Sequence, residues 1–193
     1  IFALPVTFIG WSLSEKIVPF FLEDPKTSSL AIDYTSIAFI SLVFSVYSFV
    51  FVGFYTGIEK TKIQMTVTIL SNLINLYLNA ALIYGSEGID LFFKESIPSL
   101  SFLKAMWSWT HFPAMGVKGA ALATLIASAW MAVHYALYLF SGDLRKRFKV
   151  LSFSFDKEMF LGQLKLALPM GAQEFIIAFG WTFFLKVVGI IGV

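Results

Sequence analysis

Three asparagines within an apolar run are the side chains of this chain best suited to bind a cation or a polar solute. The run extends from Met65 to Gly85 and contains Asn72, Asn75 and Asn79 at spacings of three and four. On a period of 3.6 residues, the three amides fall on one stripe of a helix. The run is about long enough to cross the hydrocarbon core of a bilayer, which takes roughly 20 residues. Unpartnered amides are costly at that depth, so the stripe is predicted to face other helices or a polar cavity.

Two interpretations of this stripe remain open. In the first, the amides join neighbouring helices by hydrogen bonds, which is a common use of polar side chains in membrane bundles. In the second, their oxygen atoms line a path for a cation or a substrate.

A carboxyl in the last apolar run is the second candidate. Glu174 follows Pro169 by five residues in a crossing predicted to begin at Leu161 and to extend to Val193. At about 1.5 Å per residue it lies roughly 20 Å along the helix axis, near the bilayer midplane. A carboxyl there costs at least about 2.5 kcal/mol on insertion scales, which favours a functional site suited to proton coupling. The alternative is a static contact with Gln173 or another helix.

The composition indicates a membrane protein. The chain is 58% hydrophobic and 13% charged, with a mean hydropathy of +0.81, whereas a soluble domain carries about 25% charged residues. We therefore expect membrane lipids as partners. A net charge of +2 is too small to indicate a nucleic-acid partner. The absence of cysteine and the presence of only two histidines exclude a disulfide framework, a thiolate site and a His-rich metal site built from this chain.

The apolar runs predict an all-α fold, a polytopic membrane helix bundle. The predicted order is a helix tail at 1–10, a surface piece at 14–22, crossings at 33–55, 65–84 and 115–140, a long connection at 86–114, and the last crossing from 161. In the crossing at 33–55, the serine hydroxyls are predicted to bond back to the preceding turn. In the crossing at 115–140, Gly119, Ala123 and Ala127 form a ladder of small residues that is typical of close helix packing. His134 is predicted to be a hydrogen-bonded bundle residue, with a proton relay as the alternative.

Three segments resemble the MATE family, the multidrug and toxic-compound extrusion transporters, and they occur in the order of that family. The motif N-x-x-N-x-x-x-N at 72–79 is similar to the fifth helix. The sequence GVKGAALAT at 116–124 resembles the opening of the sixth helix, and LALPMGAQ at 166–173 resembles that of the seventh. The resemblance implies a piece of a two-bundle, twelve-helix transporter, from the end of helix 3 to helix 7. Residues 1–158 would belong to the N-terminal six-helix bundle and its cytoplasmic linker, and residues 159–193 to the first helix of the C-terminal bundle.

The resemblance also implies a cation site. The N-terminal bundle of the family binds its cation with an acid on the first helix, an asparagine and an aspartate four residues apart on the fifth, and a threonine on the sixth. Asn75 and Thr124 match this pattern, and Asn79 replaces the aspartate. Amide and hydroxyl oxygens suit a hard cation such as Na⁺, so a weak Na⁺ site is predicted at these three residues.

Two departures from the family pattern matter here. Many members carry a glutamate eight residues after the proline of the seventh helix, where this chain has Ile177. Glu174 either replaces that glutamate or the second cation site is lost. The turn at 57–62 matches the family motif R-G-x-G-x-T-k, with Thr56 in place of the arginine and Glu59 in place of the second glycine.

The basic residues predict the orientation and the resemblance predicts the activity. Lysines and arginines concentrate in the loops 57–64 and 141–158, which are therefore predicted to be cytoplasmic in a bacterial inner membrane. The resemblance implies a monomeric transporter, with no cofactor, that exports small organic compounds in exchange for Na⁺ or H⁺. The alternatives are a lipid-linked oligosaccharide flippase, disfavoured because no arginine lies inside a crossing, and a non-transporting scaffold subunit. An enzyme is not expected, because the chain has no P-loop and no nucleophile–base arrangement.

Overall fold

The computed structural model describes residues 3–22, 24–96, 98–109, 111–141, 143–148 and 155–191, and within these ranges every regular element is a helix. The elements are α1 (Ala3–Phe21), α2 (Pro25–Gly57), α3 (Thr61–Glu95), a 3₁₀ helix (Pro98–Trp107), α4 (Val117–Phe140), α5 (Asp143–Arg147) and α6 (Lys157–Ile191). Four of them, α2, α3, α4 and α6, are long and apolar enough to cross a membrane. The prediction of an all-α membrane helix bundle is therefore confirmed. The chain forms two units, Ile1–Arg145 and Lys146–Val193.

The N-terminal helix α1 corrects the predicted division into a helix tail and a separate surface piece. It is one 19-residue helix that continues through Pro19 to Phe21. The helix is continuous because its inner side packs along α2. A side chain at Gly10 would collide with the ring of Phe39, and the Ser14 and Ser36 hydroxyl oxygens lie 3.1 Å apart.

Helix α2 begins eight residues before the predicted crossing. The Asp24 carboxylate accepts a hydrogen bond from the Thr27 backbone N–H at 2.7 Å, which caps the helix, and Pro25 occupies its first turn. The hydroxyls of Ser41, Ser45 and Ser48 donate to the carbonyls of Ala38, Ser41 and Phe44. The prediction that the serines bond back to the preceding turn is confirmed for these three. Ser36, the fourth serine of the predicted crossing, instead lies 3.1 Å from the Ser14 hydroxyl of α1.

The turn between α2 and α3 places a glutamate in a left-handed conformation. Glu59 has a φ of 59°. Its N–H donates to the Thr56 carbonyl, and the Lys60 N–H donates to the Tyr55 carbonyl. This pair of bonds is the Schellman motif, whose left-handed position is usually a glycine. Glutamate therefore occupies a position whose left-handed conformation favours glycine.

Helix α3 corrects the predicted end of the central crossing. It does not stop at Tyr84 but changes direction at Gly85, where φ is 68°, and continues to Glu95. A Cβ atom at Gly85 would also lie only 2.7 Å from the Ala114 nitrogen. Beyond the kink, Ile89 and Phe93 are buried, and Phe93 packs on Trp107 of the 3₁₀ helix with ring centroids 6.2 Å apart. The connection predicted at 86–114 is therefore largely helical, because its apolar residues pack on one another.

Helix α4 packs against both α2 and α3. A side chain at Gly119 would collide with the Leu82 carbonyl of α3, and Ala123 and Ala127 are buried as well. The Ser71 hydroxyl donates to the Ala127 carbonyl at 3.0 Å. The small-residue ladder therefore does bring two helix backbones close together, as predicted.

The second unit consists mainly of α6. It begins at Lys157, four residues before the predicted start, because the Asp156 carboxylate accepts hydrogen bonds from the N–H groups of Glu158 and Met159 at 2.9 and 3.0 Å. The predicted cytoplasmic linker, 141–158, lies partly outside the described residues.

Candidate cation site on helix α3

The amides of Asn75 and Asn79 lie together on α3. The Asn79 Nδ2 donates to the Asn75 Oδ1 at 2.9 Å, and both residues are half-buried. Asn72 is one turn closer to the start of the helix, and its side chain is exposed. The structure therefore joins two of the three predicted amides directly and leaves the third open on the same stripe.

This hydrogen bond leaves oxygen lone pairs available for a ligand. A carbonyl oxygen has two lone pairs, so Asn75 Oδ1 retains one and Asn79 Oδ1 retains both. Neutral oxygens of this kind suit Na⁺, which is a hard cation. Because neither amide is charged, the pair alone can supply only weak cation binding.

Thr124 lies on α4 at the level of these amides. The helices α3 and α4 are antiparallel, with the Met115 N–H donating to Leu82 at 2.8 Å and Ser71 bonded to Ala127. Thr124 falls between these contacts, as do the asparagines. Its hydroxyl donates to the Ala120 carbonyl at 3.0 Å. Within the part of the chain that the structure describes, no hydrogen bond joins Thr124 to either asparagine.

Glu174 lies on α6, in the second unit, and its side chain is exposed. Ile177, one turn later and at the position of the family glutamate, is also exposed. The two residues project from similar sides of the helix, as their spacing of three requires.

A polar cluster at the start of α3 was not predicted from the sequence. The Tyr55 hydroxyl donates to the Tyr135 carbonyl at 2.8 Å, and the Tyr135 hydroxyl oxygen lies 3.3 Å from the Thr68 hydroxyl. Both tyrosines are fully buried. Gln64 and Thr68 precede Asn72 at intervals of four, so the polar stripe extends towards the start of α3. This interval was the available signal, whereas the tyrosine partners come from distant parts of the chain.

His134 packs between two aromatic rings of α4. Its ring centroid lies 4.5 Å from Trp130 and 5.2 Å from Tyr138. These residues are four apart on one helix, so the stack follows from local spacing. These ring contacts do not test the hydrogen bond expected of His134, which stays a prediction.

Comparisons with known proteins find similarity to a transporter family over part of the chain. The MatE family model matches residues 1–81. A relative described as "Probable multidrug resistance protein NorM", from Thermotoga maritima, is 28% identical over 155 residues. The alignment covers 79% of this chain and 27% of that relative, so the chain spans about a quarter of the relative's length. No solved structure matches the chain.

Proposed function

We propose that this chain, which resembles the MATE family in its motifs and matches the MatE family model over residues 1–81, forms part of a secondary active transporter. The proposed activity is export of organic, cationic or drug-like compounds in exchange for Na⁺ or H⁺. The observation that carries the proposal is the Asn75–Asn79 amide pair, with its hydrogen bond of 2.9 Å in an apolar helix. The name of the Thermotoga maritima relative, a multidrug resistance protein, supports the substrate class.

The coupling step assigned to these residues is cation binding. Na⁺ would bind to the Asn75 and Asn79 oxygens with the Thr124 hydroxyl, and export would follow if the cation binds one access state more tightly than the other. In the proton-coupled version, Glu174 would exchange the proton, since it is the carboxyl in the middle of α6. Because Na⁺ coupling and H⁺ coupling are assigned to different residues, substitutions of those residues can distinguish the two versions.

The orientation proposed for the chain places the 57–64 and 141–158 loops in the cytoplasm of a bacterial inner membrane. The packing supports one common side for these loops. Tyr55 and Tyr135, near the ends of α2 and α4, stack with centroids 5.6 Å apart. At the opposite ends, the Asp33 and Lys118 side chains lie 4.0 Å apart. The turn after α2 and the linker after α4 therefore begin at the same end of the unit.

The proposal is tested with the full-length protein in proteoliposomes. Export of a cationic dye is measured under an imposed Na⁺ gradient and then under a pH gradient, for wild type, Asn79→Ala, Glu174→Gln and Leu73→Ala. Leu73 is an exposed apolar residue on the same helix but off the amide stripe, and it serves as the control.

We expect gradient-driven export by wild type and by Leu73→Ala. Loss in Asn79→Ala would assign coupling to the amide site, and loss only in Glu174→Gln would assign it to α6. If wild type moves no dye under either gradient, the export function is wrong, and a flippase or a scaffold becomes the better hypothesis.

A further inference from the structure

The chain beyond the Gly85 kink folds back along α3 towards the membrane. The Trp107 Nε1 donates to the Tyr77 carbonyl at 3.1 Å, and the Tyr77 hydroxyl donates to the Met106 carbonyl at 2.8 Å. The rings of Tyr77 and Trp107 stack with centroids 5.2 Å apart, and the Trp109 Nε1 donates to the Tyr77 hydroxyl. Tyr77 precedes Gly85 by eight residues, or about 12 Å of helix. The tryptophan end of the 3₁₀ helix therefore lies beside the apolar part of α3.

The surface of this folded-back segment is apolar and exposed among the residues that the structure describes in its unit. Trp109 is 71% exposed, Phe102 67% and Met106 54%. On the neighbouring turn of α3, Leu91 and Phe92 are also more than half exposed. Aromatic side chains combined with lysines are typical of segments at the membrane interface.

A charged cleft separates the end of α3 from the 3₁₀ helix. Its volume is about 640 Å³, and Glu87, Asp90 and Lys94 line it from one face of α3, with Lys104 on the other side. The Lys104 Nζ lies 3.4 Å from the Asp90 Oδ1. A second cleft of about 380 Å³ shares Asp90 and Lys104 and extends to Ser86, Trp107 and His111.

The cleft is lined by two acidic and two basic side chains, and this mixture of charges favours a ligand that carries both a positive and a negative group. A simple anion would be repelled by Glu87 and Asp90, and a simple cation by Lys94 and Lys104. A zwitterion with an ammonium group close to a phosphate satisfies both pairs, because lysines bind phosphate and carboxylates bind ammonium. The headgroup of phosphatidylethanolamine has this chemistry, and the exposed aromatic residues beside the cleft provide contacts for its acyl chains.

We propose that this part of the chain is a phospholipid-binding site, with a phosphoethanolamine headgroup between Asp90 and Lys104 and with Phe102, Met106 and Trp109 in the adjacent leaflet. The site belongs to the leaflet at the Gly85 end of α3. It lies beside Tyr77, whereas the amide pair lies on another face of the helix. Lipid binding here therefore does not depend on which ion drives transport, or on whether transport occurs.

The first test locates the segment in the membrane. The 193 residues contain no cysteine, so Phe102→Cys gives a single labelling position in this part of the protein. A fluorophore at this position is quenched by aqueous iodide or by lipids that carry a nitroxide high on the acyl chain. We expect strong quenching by the lipids and weak quenching by iodide. Quenching by iodide alone would overturn the proposal, as would protection from both quenchers, which would indicate a protein contact.

The second test measures headgroup selectivity on the purified full-length protein. Native mass spectrometry counts bound phosphatidylethanolamine and phosphatidylglycerol for wild type, Lys104→Glu and Lys62→Glu. Lys62 is an exposed lysine at the other end of α3 and serves as the control. Because Lys104→Glu replaces the lysine proposed to bind the phosphate with a carboxylate that repels it, we expect severalfold less phosphatidylethanolamine on Lys104→Glu than on wild type or Lys62→Glu.

Equal retention by all three proteins would overturn the site, and so would a wild-type preference for phosphatidylglycerol, which a merely basic surface would show. If Lys104→Glu does not fold, the wild-type lipid preference and the quenching result decide the proposal by themselves.

Discussion

Glu59 has a backbone conformation that is strained for any residue with a Cβ atom. Its φ of 59° lies in the left-handed region, where a residue with a Cβ atom loses roughly 1–2 kcal/mol. Glycine avoids this cost, although it adds entropy to the unfolded chain. We expect Glu59→Gly to raise the free energy of unfolding by about 1 kcal/mol, measured by denaturation in detergent.

The matched control is Glu15→Gly, because Glu15 is an exposed glutamate inside α1. There, glycine should lower the stability by about 1 kcal/mol. A lower stability of Glu59→Gly itself would contradict the strain assigned to this turn.

Asp24 links the start of α2 to pH. The Thr27 hydroxyl and then the Thr27 backbone N–H hold the pKa of Asp24 below its ordinary value of 3.8. Because the pKa of Asp24 is lower in the folded state, the ionised cap stabilises the fold fully at pH values above the ordinary pKa of 3.8. That contribution is lost as the pH falls through the lowered value.

We expect Asp24→Ala to be less stable than wild type at neutral pH and the difference to shrink on acidification below the ordinary pKa. Thermal unfolding measured between neutral and acidic pH provides the check. Asp24→Asn is the control, since its amide oxygen accepts the same hydrogen bond at every pH. A stability difference between wild type and Asp24→Ala that does not change with pH would contradict the role of this carboxylate.

The amide pair makes a prediction about charge. Asn79→Asp places a carboxylate beside the proposed Na⁺ site, and such a charge at about 4 Å is worth roughly 4 kcal/mol before desolvation. After desolvation we expect the Na⁺ concentration that half-saturates dye export to fall about tenfold. Asn79→Ala should show no saturable Na⁺ dependence. An unchanged Na⁺ dependence of export in Asn79→Asp would show that Asn79 does not take part in Na⁺ binding.

The contact between α3 and α4 depends on a missing side chain at Gly119. A methyl group there would collide with the Leu82 carbonyl of α3, so the two helices must move apart. We expect Gly119→Ala to lower the free energy of unfolding by about 1–3 kcal/mol. Gly53→Ala in α2 is the control, because its Cβ atom would meet nothing within 4 Å. Equal stabilities of the two variants would show that the backbones are not in close contact.

At the scale of helices, local sequence patterns predict the crossings but not their extensions. The apolar runs predict α2, α3, α4 and α6, since length and hydropathy are properties of the run itself. The extension of α3 beyond Gly85 depends instead on Trp107, which packs on Tyr77 and Phe93. A contact between residues 30 positions apart leaves no periodic signal in either segment.

At the scale of the whole molecule, the candidate site and the polar cluster beside it differ in the same way: the amide pair lies within one helix, whereas the tyrosine contacts join different helices. The sequence predicts that Asn75 and Asn79 share one stripe of a helix, because they are four residues apart. The hydrogen bond between them was not predicted, since the expected bonds were to neighbouring helices. The Tyr135 hydroxyl reaches Thr68 from a different helix, 67 residues away, and only the packing of α3 on α4 brings them together. The level of Thr124 beside the asparagines likewise follows from the antiparallel pairing of these helices.

The central claim is that the amide stripe of α3 lines a pathway that water and solutes enter. The most direct measurement uses Asn72→Cys, one turn from the intact Asn75–Asn79 pair, and Leu73→Cys as a neighbouring control in the full-length protein. A charged, thiol-specific reagent reacts with the thiolate, which forms in water and not in lipid. We predict that Asn72→Cys reacts rapidly, that the transported dye slows the reaction, and that Leu73→Cys stays unmodified. An unreactive Asn72→Cys would contradict the account and would show that the stripe serves helix packing alone.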